Sequence, residues 1–78
     1  MKLLHLLNRL KWDSKYDFNR VRVWYEDRAG GEMACLKGEE IVSIGEKFLE
    51  TSRGYIPVHR IRKIEYEGEV LWNSVSSS

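Results

Sequence analysis

Val21-Arg22-Val23-Trp24-Tyr25-Glu26 is the stretch on which the fold class turns. Val21, Val23 and Tyr25 alternate with Arg22, Trp24 and Glu26, and a hydrophobic period of two marks a strand buried on one face. Upstream the period is different. Across residues 2–11, at about 100° per residue, Leu3, Leu4, Leu6, Leu7 and Leu10 fall on one broad arc, and Lys2, His5, Asn8, Arg9 and Trp12 on the other. This predicts a short amphipathic helix whose leucines cover a sheet. Asp13-Ser14 ends it, and 13–20 reads as a polar loop tethered by Tyr16 and Phe18.

Downstream, Ala29-Gly30-Gly31 supplies a turn and Glu32 to Lys37 returns as a second strand that Gly38 ends. Glu39 to Ile44 fits either a helical turn or a short strand. Glu46 to Thr51 reads as a strand and Ser52-Arg53-Gly54 as a turn. Pro57 lacks an N–H to donate, so Tyr55 to Val58 belongs at a sheet edge or a bulge. Glu67-Gly68 between Ile61–Tyr66 and Val70–Trp72 is a two-residue hairpin signal. The expected class is α+β: an amino-terminal helix on a curled antiparallel sheet of four to five short strands, open to closing as a small barrel. One domain is expected over residues 1–73, with a disordered serine tail from 74 to 78.

The 78 residues are 42% hydrophobic and 32% charged, with three Trp and four Tyr, enough apolar area for one small core. No apolar run approaches the roughly 20 residues of a membrane helix. The opening Met1-Lys2-Leu3-Leu4 is interrupted by His5, Asn8 and Arg9, unlike a signal peptide. Cys35 is the single cysteine, so neither a disulfide within the chain nor a thiolate metal cluster is expected, and a reducing cytoplasm is the expected location. Net charge is +1, against a broadly basic nucleic-acid coat. The charge is uneven, however. Residues 1–23 carry six basic and two acidic side chains, whereas 24–51 carry three basic and seven acidic.

Three polar pairs border the apolar segments. His59-Arg60 follows Pro57; Arg60 offers two parallel N–H donors to an anion's oxygens, and His59 can donate to a neighbouring oxygen. In a regular strand adjacent residues face opposite ways, so both reach one ligand only at a bend, which Pro57 makes available. The plainer reading packs His59 at a sheet border and gives Arg60 a surface ion pair. Asp27-Arg28 ends a strand before glycines: either Arg28 is a second anion contact oriented by Asp27, or Asp27 merely closes the turn. Trp12-Asp13 follows the helix, where Trp12 either stacks on a base or plugs the core rim. Trp24, opposite the buried face of its strand, is a second candidate platform. Arg9 can follow a phosphate.

Leu6-Leu7-Asn8-Arg9-Leu10 leading to Trp12-Asp13, then Tyr25-x-Asp27-Arg28, Ile56-Pro57-x-His59-Arg60-Ile61 and Gly68-Glu69-Val70-x-Trp72, resembles a family of small, mainly archaeal proteins. Nearly the whole chain takes part, apart from the serine tail. Domains of this family are proposed to recognise RNA ends bearing a cyclic phosphate, because relatives accompany RNA-repair and RNA-processing domains. The resemblance implies a non-catalytic module for a phosphate-bearing RNA end, with RNA and RNA-processing proteins as partners. His59, Arg60, Arg28, Asp27, Trp12, Asp13, Arg9 and Trp24 are its candidate contacts. No cofactor, metal site or membrane contact is expected. Two other functions fit the residues. One is a small cyclic phosphodiesterase using His59 with His5 or an acid, although no tandem His-x-Thr or His-x-Ser pair is present. The other is a protein-interaction domain using the exposed aromatics.

Overall fold

The computed structural model describes residues 2–27 and 31–74. The expected 29–31 turn lies largely outside these residues, as do Arg28 and the serine tail beyond Ser74. Helix α1 spans Lys2–Trp12. Leu3, Leu7 and Leu10 are buried from it and Leu4 and Leu6 pack beside them, so the leucine arc does face the core. Asp13 ends the helix by accepting the Lys15 backbone N–H at 3.0 Å.

Seven strands follow among the described residues: β1 Val21–Glu26, β2 Met33–Lys37, β3 Ile41–Ile44, β4 Phe48–Thr51, β5 Gly54–Pro57, β6 Ile61–Tyr66 and β7 Glu69–Asn73. They form two antiparallel sheets, one ordered β2-β1-β6-β7 and one ordered β3-β4-β5. The α+β class therefore holds. The single sheet of four to five strands does not, and no closed barrel forms. The chain leaves the first sheet through a 3-10 turn at Gly38–Glu40 and returns to it through another at Val58–Arg60. The stretch from Glu39 to Ile44 thus holds both a helical turn and a strand.

Leu7, Leu10, Val21, Val23, Leu36, Leu49, Ile61 and Ile64 are fully buried in one cluster that helix and both sheets share. At about 25 cal/mol per Å² of apolar surface, this shared core is the main stabilising term. Tyr16 meets Tyr66 edge-on at 5.3 Å, and the Tyr66 hydroxyl accepts the Asp17 N–H at 2.9 Å, so the loop after α1 is tethered to β6. Phe18 packs against the core as well. Pro57 ends β5, an edge strand, where no ladder bond needs its N–H. Glu67 and Gly68 have φ of 51° and 86°, the paired left-handed conformation of a tight hairpin.

Candidate functional site

The 3-10 turn Val58–Arg60 decides where the site's side chains point. Three residues per turn separate neighbours by about 120°, so His59 and Arg60 leave the backbone in different directions. Pro57 does introduce a bend here, yet the two side chains line different pockets.

Arg60, half-buried, lines a pocket of about 340 Å³ with Tyr25, Glu26, Asp27, Tyr55, Ile56 and Pro57. It also lines an adjoining recess with Glu26, Asp27 and Gly31. Asp27 and Arg60, far apart in sequence, therefore share one cavity. The Asp27 backbone N–H donates to the Glu32 carbonyl at 2.7 Å and its carbonyl accepts from Gly31 at 3.1 Å. These two bonds hold the Asp27 backbone at the end of β1. Glu26 is already neutralised, since Arg62 Nη2 donates to its Oε1 at 3.1 Å. Arg53 is held at 2.8 Å by Glu40 and does not reach the pocket lining. Arg60 makes no ion pair among the described residues, so its guanidinium fork remains available for an anion.

Tyr55 is the contact that reading the sequence passed over. It is 69% exposed beside Arg60, and its ring lies 6.2 Å from that of Phe48, 51% exposed. Register explains both. Phe48 pairs with Pro57 and Glu50 with Tyr55, so these four side chains share the outer face of the smaller sheet, while Leu49, Thr51 and Ile56 are buried on its inner face. Strand alternation through Tyr55-Ile56-Pro57 was the available signal.

His59 opens instead on an apolar cavity of about 610 Å³ that includes Phe48, Pro57, Ile61, Arg62 and Trp72. His5, the other histidine, does not line it, so a two-histidine phosphodiesterase gains no support from this geometry. Among the described residues, no group of three or more His, Cys, Asp or Glu is arranged to hold a metal ion. Nor is any helix of these residues long and apolar enough to cross a membrane.

The remaining candidates sit elsewhere. Trp12 is 74% exposed, with Lys11 Nζ 5.7 Å from its ring centre, so it does not plug the core rim. Arg9 and Asp13 approach each other at 3.8 Å. Neither they nor Trp12 lines the Asp27–Arg60 pocket or the His59 cavity. Trp24 lies half-buried on the outer face of the larger sheet, its indole N–H donating to Glu65 at 3.0 Å and Lys63 Nζ 5.2 Å from its ring centre. That hydrogen bond, with Lys63 adding to it, holds the Glu65 carboxyl below the ordinary carboxylate range. Trp24 there lines a polar recess of about 660 Å³ with Arg22 and Lys37. The seven candidates among the described residues thus fall into four places: Asp27 with Arg60, His59 alone, Trp24 alone, and the helix-end group of Arg9, Trp12 and Asp13. Arg28 lies outside the described residues.

A family model described as the MJ1316 RNA cyclic group end recognition domain matches residues 1–74. The chain is 37% identical over 67 residues to a UPF0248 protein of Archaeoglobus fulgidus, an alignment covering 85% of this chain and 96% of that protein. No solved structure matches it.

Proposed function

The chain belongs to the MJ1316 RNA cyclic group end recognition domain family, the family its anchor residues resemble, and from that membership we propose that it binds a phosphate-bearing RNA end without transforming it. The terminal group is a 2′,3′-cyclic phosphate, held in the Asp27–Arg60 pocket. The observation that carries this reading is Arg60: a guanidinium with no described ion pair, in a cavity beside an exposed aromatic ring. Its parallel N–H groups match two non-bridging phosphate oxygens. Asp27 accepts from a base edge or sugar hydroxyl of the same nucleotide, and the Tyr55 ring supports the terminal base. Such a module serves RNA processing or repair, where ends must be told apart.

The test is a titration with matched RNA oligonucleotides ending in hydroxyl, open phosphate or cyclic phosphate, followed by residue-resolved NMR shifts. The reading predicts tightest binding for the cyclic end and shifts centred on Asp27, Tyr55 and Arg60. Equal binding of all three ends, with shifts scattered over the surface, would overturn it.

A further inference from the structure

The 610 Å³ cavity beside His59 is larger and drier than the Asp27–Arg60 pocket and has no role in holding the terminal phosphate. We propose that it is a nucleobase subsite, taking the base of the penultimate nucleotide of the same RNA end. This deepens the function proposed above and rests on it for the direction of the strand.

The cavity's composition carries the argument. Its floor is the buried Leu3, Val58 and Ile61, and its walls are Phe48, Pro57 and the half-buried Trp72. Two aromatic rings over an aliphatic floor favour a flat, weakly polar group, and the volume falls in the range that small-molecule sites occupy. The lining also holds His59, Lys47 and Ser74 beside a single carboxylate, Glu46, while the Arg62 guanidinium is engaged by Glu26 and the His59 carbonyl. His59, Lys47 and Ser74 are polar groups of the kind that meet a base edge at the border of an apolar pocket.

Continuity with the anion pocket selects the ligand further. Pro57 lines both cavities, and the Arg62–Glu26 ion pair joins a residue of one lining to a residue of the other. A strand whose last phosphate lies on Arg60 and which runs over Pro57 meets the apolar cavity next. The divergence of His59 and Arg60 then has a function. Each side chain serves one of two consecutive nucleotides.

The experiment compares three cyclic-phosphate RNAs: intact, abasic at the terminal position and abasic at the penultimate one. Loss of the penultimate base should weaken binding by roughly tenfold, the scale of one base stacked on aromatic side chains. It should also remove the shifts of the Trp72 indole and His59 ring while sparing those of Arg60. Phe48→Ala, an exposed position, should abolish the penalty, and Phe48→Trp should restore it. Equal affinity for the intact and penultimate-abasic RNAs would overturn the subsite. The end-recognition reading is judged separately, by hydroxyl-ended against cyclic-ended RNA. A penultimate penalty without end discrimination would leave the base subsite standing alone, and no binding of any RNA would remove both.

Discussion

Arg62 ties the two cavities together: its Nη2 donates to Glu26 Oε1 at 3.1 Å while its Nη1 donates to the His59 carbonyl at 2.8 Å. One guanidinium thus fixes the turn that aims His59 and Arg60, and cancels a carboxylate that would otherwise oppose an anion beside Arg60. Arg62→Ala is expected to weaken cyclic-phosphate RNA several-fold, because Glu26 then faces the ligand unneutralised. Adding Glu26→Gln should recover most of the loss. The pair is partly exposed, so its stability cost should be only about 0.5–1 kcal/mol. A double-mutant cycle on affinity and on urea unfolding checks both statements.

Gly38 admits no side chain. A Cβ there would stand 1.8 Å from the Phe18 carbonyl oxygen and 2.9 Å from its carbon, and backbone atoms cannot swing aside. Gly38→Ala should therefore cost about 1–3 kcal/mol, as overpacking of a tight contact does. Urea unfolding gives the value, and an unchanged midpoint would mean that Gly38 and Phe18 are not in close contact in solution.

Short 3-10 turns also explain what the sequence withheld. The helix was legible because its five leucines sweep one arc, the β6–β7 hairpin because Glu67-Gly68 has the chemistry of its turn, and the edge position of β5 because Pro57 cannot donate. The division into two sheets was not legible. It happens at Gly38–Glu40 and Val58–Arg60, and a three-residue turn is too short to show a period. The same shortness hid the site's geometry. Neighbouring His59 and Arg60 looked like a joint grip on one group, whereas a 3-10 turn sends them into separate cavities. Tyr55 was readable only through the alternation of its short strand, which Pro57 interrupts. The family, by contrast, was readable, because its anchor residues lie in order along the chain.

Acid sensitivity should localise to the outer face of the larger sheet. The Trp24 indole N–H holds the folded Glu65 carboxyl below its ordinary unfolded value. A depressed carboxylate adds stability that is fully present above the unfolded value and is lost as pH falls through the folded one. Glu40 behaves in the same sense, held first by the Lys37 backbone N–H and then by Arg53. Trp24→Phe removes the indole donor, so the Glu65 titration, followed by carboxyl ¹³C shifts, should move upward while that of Glu40 stays in place. A Glu65 titration unmoved by Trp24→Phe would show that the indole is not the cause.

Trp12 separates stacking on the helix end from stacking at the pocket. It is 74% exposed and lies among Lys11, Arg9 and Asp13 rather than beside Arg60. Trp12→Ala should change stability by less than about 0.5 kcal/mol, as exposed substitutions do. The ratio of affinities for cyclic and hydroxyl ends should also be unchanged, whereas Tyr55→Ala should lower affinity for a base-bearing end by roughly tenfold. A Trp12→Ala variant that lost end discrimination would move the site to the helix.

Arg60 is the residue on which charge and geometry can be told apart. Lysine keeps the charge but replaces the planar fork with a single ammonium, whereas alanine removes both. Hydrogen bonds to a charged group contribute about 1.5–3 kcal/mol, so Arg60→Ala should weaken the cyclic-phosphate end by roughly tenfold to a hundredfold. Removing one phosphate contact should also reduce the dependence of log affinity on log salt by about 0.7 for a single strand. Arg60→Lys should keep that salt dependence yet lose most of the preference for a cyclic over an open phosphate, since only the fork meets two oxygens at fixed spacing. Arg60 makes no ion pair among the described residues, so neither change should shift unfolding by more than about 0.5 kcal/mol, and the loss of binding can be read without correction for misfolding. Affinities measured across a salt series for the three proteins decide the matter: an Arg60→Ala slope equal to that of the native chain would mean that no phosphate lies on this guanidinium.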